Sequence, residues 1–90
     1  MTQDPLVAVV DDEPVWRASL GRALRLRGYR PLLLDDPLDA LLTVERERPA
    51  AVIVDHAMPG MSGSALAARL RDALGERCPP LLLVTGDLHR

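Results

Sequence analysis

Four short apolar runs punctuate the chain, and polar residues follow most of them. Leu6-Val7-Ala8-Val9-Val10 runs into Asp11-Asp12-Glu13, and Ala50-Ala51-Val52-Ile53-Val54 runs into Asp55. Leu81-Leu82-Leu83-Val84 runs into Thr85-Gly86-Asp87, and Leu32-Leu33-Leu34 is a shorter run of the same kind. An apolar run without polar interruption marks a strand covered on both faces. The stretches between the runs have helical spacing. Residues 14–27 open on Pro14, which suits a first helical position, and place Trp16, Leu20, Ala23 and Leu24 at turn intervals before a terminating Gly28. Asp36 caps a second helix, with Leu38, Leu41 and Leu42 as its expected buried face and Pro49 as its end. Ser62 caps a third, with Leu66, Leu70, Ala73 and Leu74 expected to face inward and Gly75 as its stop. Strand and helix thus alternate along the whole chain. That pattern predicts right-handed βαβ units around a parallel sheet.

Ninety residues make one small domain, expected over residues 1–90. Only 2% of the residues are aromatic, so the core must be built from Leu, Val, Ile and Ala. A net charge of −2 gives no reason to expect nucleic-acid binding. One cysteine excludes an internal disulfide framework and suits a reducing compartment, so a cytoplasmic location is expected. No leader pattern and no apolar run of about 18 residues appears, and no membrane association is expected.

In open parallel α/β sheets, sites form at the C-terminal ends of the strands. Asp11, Asp12 and Asp55 would meet there with the Thr85 hydroxyl. A single strand-end aspartate is commonly a helix cap or a solvated turn residue, but three strand ends each delivering oxygen donors form a rarer conjunction. Grouped carboxylates repel one another unless a cation joins them. Hard oxygen ligands suit Mg²⁺, or Mn²⁺, with several waters retained and room for phosphate oxygens. An aspartate so shielded can act as a nucleophile towards phosphorus.

Three stretches carry a resemblance to a known family. They are Val9-Val10-Asp11-Asp12-Glu13-Pro14, Asp55-His56-Ala57-Met58-Pro59-Gly60-Met61-Ser62-Gly63, and Val84-Thr85-Gly86. With the strand–helix order between them, the chain resembles the receiver domains of two-component response regulators over its whole length. The resemblance implies a flavodoxin-like doubly wound sheet of four parallel strands in the order 2-1-3-4, with three helices. It implies that Asp55 is the phosphoacceptor, served by a histidine kinase or phosphotransfer protein. It implies that Asp12, Asp55 and the backbone carbonyl of Ala57 hold Mg²⁺ with help from Asp11, and that Thr85 turns towards the phosphoryl group. Such a module is not an enzyme beyond its own phosphoryl transfer and dephosphorylation.

Receivers of this kind continue through a fourth helix, a fifth strand ending in lysine, and a fifth helix. This sequence stops at Arg90 and contains no lysine at any position. The chain is therefore expected to be part of a longer protein, with a natural truncation as the alternative. In the order 2-1-3-4 the fourth strand is a bare apolar edge, and pairing of two copies to cover it is expected.

Two further readings stay open. One is a pseudo-receiver or dimerising scaffold that signals without phosphorylation. The other is a haloacid-dehalogenase-like phosphohydrolase, which needs a second aspartate where Ala57 stands. His56 is expected to point outward at the cleft rim, and Cys78 to be structural. Arg17, Arg22, Arg25, Arg27 and Arg30 are expected to form a solvated face of the first helix or a partner-binding stripe.

Overall fold

The computed structural model describes residues 4–84. Its elements follow the order β1 (Leu6–Val10), α1 (Pro14–Leu26), β2 (Arg30–Leu34), α2 (Pro37–Glu47), β3 (Ala51–Asp55), α3 (Gly63–Leu74) and β4 (Leu81–Val84), with a single 3₁₀ turn at Gly75–Arg77. The four strands are all parallel and lie in the order β2-β1-β3-β4. This is the expected sheet with the expected three helices.

Local chemistry accounts for the helix ends. The Asp36 carboxylate accepts from the Leu38 N–H at 2.9 Å, and the Ser62 hydroxyl accepts from the Ala65 N–H at 3.1 Å. Each satisfies a donor that the first turn leaves unpaired, worth about 1 kcal/mol. Glu13 caps α1 in the same way, through the Val15 N–H. Gly28 follows α1 with φ of +87°, a conformation that costs glycine little.

The two faces of the sheet are covered differently. Ala8, Val10, Leu34, Val52 and Val54 pack with Ala40 and Val44 of α2, Leu66, Leu70 and Leu74 of α3, and Met58. On the opposite face, α1 lies over β1 and β2, with Gly21 close against Leu33. Strand register places Val9, Leu33, Ile53 and Leu82 on this second face.

Several sequence expectations need correction. Strand β2 begins at Arg30 rather than Leu32 and takes in Pro31. Proline is tolerated there because β2 is an edge strand and leaves one side of its backbone unpaired. Strand β3 is displaced by one residue, so Asp55 is its last member. In α3, Ala73 is exposed, and Ala67 is buried with Leu66 and Leu70. The largest departure is α2. Its buried residues are Ala40, Thr43 and Val44, while Leu38 and Leu42 are 60% and 66% exposed. Ala40, Thr43 and Val44 face the sheet, and at about 100° per residue Leu38 and Leu42 fall on the opposite side of the helix.

Candidate functional site

The order β2-β1-β3-β4 makes β1 and β3 neighbours, although β2 intervenes in the sequence. Chain direction reverses its march across the sheet at β1. Ligand crevices of open α/β sheets form outside the strand ends at such a switch point. Val10 is in register with Val54, so Asp11 just after β1 and Asp55 at the end of β3 come side by side.

Asp11, Asp12 and Asp55 each place a carboxylate oxygen within 4.8 Å of the others. Asp11 is 2% and Asp55 3% exposed, while Asp12 faces solvent. Asp11 is anchored at three atoms. Its N–H donates to the Leu34 carbonyl at 3.0 Å, its Oδ1 accepts from the Glu13 N–H at 2.9 Å, and its carbonyl accepts from Arg17 Nη1 at 2.8 Å. Asp55 Oδ1 accepts from the Ala57 N–H at 3.4 Å, a long and weak bond.

The backbone beyond Asp55 is tied down on both sides. The His56 N–H donates to the Val84 carbonyl at 2.8 Å, and the Gly63 N–H donates to the His56 carbonyl at 2.8 Å. Gly63 also approaches the Asp55 carbonyl so closely that no β-carbon fits there. The loop from Asp55 to Ser62 therefore leaves the strand and returns to the same point to start α3.

A cavity of about 460 Å³ opens over the Asp12 and Asp55 carboxylates, lined also by Glu13, Val15, Trp16 and Ala57. Like charges this close favour a bound cation, and an all-oxygen donor set with open space suits a hard, partly hydrated ion. Thus Asp11, Asp12, Asp55 and Ala57 converge. Thr85, the remaining residue expected here, lies outside the described residues.

Sequence reasoning missed the supporting residues. Trp16 read as a helix-face residue, yet it lines the cavity, as does its neighbour Val15. Arg17 read as part of a solvated stripe, yet it is half-buried and holds the Asp11 carbonyl, whereas Arg22, Arg25, Arg27 and Arg30 are exposed as expected. Its place in the first turn of α1, just past the Asp-Asp pair, was the available signal. His56 is exposed as expected, with Nδ1 3.2 Å from the Ser64 hydroxyl. Cys78 is a half-buried free thiol packed against the core, which suits the structural reading.

Over residues 7–89 the sequence matches the response regulator receiver domain. The chain belongs to this family. Response regulator MprA of Mycobacterium leprae is 37% identical over 81 residues, covering 90% of this chain and 35% of the relative. The response regulator TrrA of Thermotoga maritima, solved in complex with Mg²⁺-BeF, superposes with a TM-score of 0.85 at 30% identity, covering 94% of this chain and 72% of that one. The receiver domain of the response regulator NarL from Mycobacterium tuberculosis gives 0.82 at 32% identity, covering 94% and 68%. This receiver chain thus spans about a third of the length of the MprA-type relatives it matches. Among the described residues, no helix of the receiver is long and apolar enough to cross a membrane.

Proposed function

We propose that this receiver domain accepts a phosphoryl group on Asp55 in a Mg²⁺-dependent transfer from a histidine kinase or phosphotransfer protein of the cytoplasm. One observation carries the reading. A nearly buried carboxylate ends β3 at the floor of an open cavity, and two further carboxylates stand within 4.8 Å of it.

An Asp55 carboxylate oxygen attacks phosphorus, the new P–O bond forms, and the P–N bond to the donor imidazole breaks. The electron pair leaves with the imidazole nitrogen, and because the other ring nitrogen of the phosphorylated donor carries a proton, the donor histidine ends neutral. A Mg²⁺ held by Asp11, Asp12, Asp55 and the Ala57 carbonyl would neutralise the charge of phosphoryl oxygens and carboxylates. Asp11 holds its place in that set through the Glu13 N–H and Arg17. The pairing of β1 with β3 holds Asp55 beside the β1 end, so the nucleophile needs no search. Thr85 is the residue proposed to hydrogen-bond a phosphoryl oxygen after transfer, and a second copy of the chain is a further proposed partner.

The test is mass spectrometry after incubation with acetyl phosphate and Mg²⁺. One added phosphoryl mass that disappears in Asp55→Asn supports the reading. No adduct on the parent, with beryllofluoride also failing to bind, favours the pseudo-receiver alternative. Multiple turnover of small phosphate esters would point to the phosphohydrolase.

A further inference from the structure

Helix α2 is apolar on two opposite sides. Ala40, Thr43 and Val44 face the sheet. Residues in an α-helix advance by about 100° each, so Leu38 and Leu42 sit one turn apart on a shared stripe that points away from that face. Their exposures of 60% and 66% agree with this geometry. A helix with apolar residues on both sides is normally covered on both.

The stripe borders two hollows. One is lined by Leu41, Leu42 and Glu45 of α2 with Arg69, Asp72 and Ala73 of α3. The other is a cavity of about 230 Å³ lined by Leu38 and Pro37 with Pro59, Gly60 and Met61. Apolar residues thus run along the α2–α3 surface, from the loop after β3 to Ala73 in the last turn of α3. The rim of the first hollow carries charges of both signs, acidic at Glu45 and Asp72 and basic at Arg69.

We infer that the α2–α3 surface is where a second copy of this chain docks, with Leu38 and Leu42 of each copy seated against the α2–α3 hollow of the other. The inference rests on the proposal that a second copy is a partner, and it moves the contact away from β4. Leu82 and Leu83 of β4 are adjacent in the strand and stand on opposite faces of the sheet, so these two side chains do not form one patch. Leu38 and Leu42 do. The mixed rim favours a copy over a partner of one sign, because two-fold pairing brings Arg69 of one copy to Glu45 or Asp72 of the other, twice over. The patch comprises one stripe and its neighbouring hollow. It belongs at the small end of specific interfaces, below about 1,200 Å² in total, so the dimer is weak and depends on concentration.

Sedimentation equilibrium of the full chain from micromolar to millimolar concentration tests the surface. The parent should show a reversible monomer–dimer equilibrium. Leu38→Gln combined with Leu42→Gln should weaken it by about tenfold or more, as expected for centrally placed anchors. Leu82→Lys should leave it within about threefold, as expected for a site outside the contact. Glu45→Arg and Arg69→Glu should each weaken self-association, and an equimolar mixture of the two should recover it. The charge variants decide the matter if the leucine variant fails to give a folded circular dichroism spectrum. A parent that stays monomeric throughout overturns both the partner and the surface. A dimer untouched by the leucine and charge variants but lost in Leu82→Lys overturns the surface alone and returns the contact to β4.

Discussion

The backbone of Gly63 rests directly against the carbonyl of Asp55, while the Gly63 N–H donates to the next carbonyl, that of His56. The first residue of α3 thus fixes the last residue of β3. A methyl group at position 63 would overlap backbone, which cannot swing aside as a flexible side chain does. Gly63→Ala should destabilise the domain by about 1–3 kcal/mol, the usual cost of overpacking. It should also lower phosphorylation of the protein that remains folded. Urea denaturation and acetyl phosphate labelling at a concentration well below the midpoint measure the two effects separately.

Trp16 lines the cavity that the carboxylates open into and is the only tryptophan in the sequence. Its emission should therefore change on titration with Mg²⁺ or Mn²⁺. Binding should be weak, because the proposed site keeps several waters. Asp12→Ala should abolish the fluorescence change and the calorimetric signal together. Equal binding by Asp12→Ala and the parent would remove Asp12 from the ligand set.

Asp55 should be the only acceptor. Asp55→Asn keeps the side-chain shape and removes the nucleophilic oxygen pair, so labelling by acetyl phosphate should fall to background. Beryllofluoride uptake should be lost with it. An adduct of the same yield on the Asp55→Asn protein would place the acceptor elsewhere.

Arg17 donates a charged hydrogen bond to the Asp11 carbonyl at 2.8 Å in a half-buried setting. Arg17→Met keeps the apolar stem and loses the donor. The expected cost is about 1–2 kcal/mol in thermal or chemical unfolding. Metal affinity should fall as well, because Asp11 loses one of its anchors. Arg22→Met, on the exposed part of the same helix, should change neither.

Much of the fold was legible because it is written in short-range signals. Asp36 and Ser62 act as the caps their positions suggest, and Gly28 takes the positive φ expected after a helix. The apolar runs became strands at nearly the expected boundaries. Strand β2 was underestimated because Arg30-Pro31 looks like a connection, and only an edge position makes it compatible with a sheet. Leu38 and Leu42 were misassigned because large apolar residues at helical spacing look like a core face. Ala40, Thr43 and Val44 form that face instead, two of them small or polar and so silent in the apolar pattern.

By itself the sequence determined the order of the elements, the parallel sheet they imply, and the identity of the acidic residues gathered at its end. Those properties depend on residue spacing, side-chain polarity and local capping, which act over a few positions. Only the tertiary structure decided the rest. It buried Asp11 and Asp55 while leaving Asp12 exposed, brought Trp16 and Arg17 to the site, and pressed Gly63 against the strand end. It also turned the leucines of α2 outward. Each of these depends on how closely two elements distant in sequence approach one another, and that distance is set by the packing of the whole sheet and its helices.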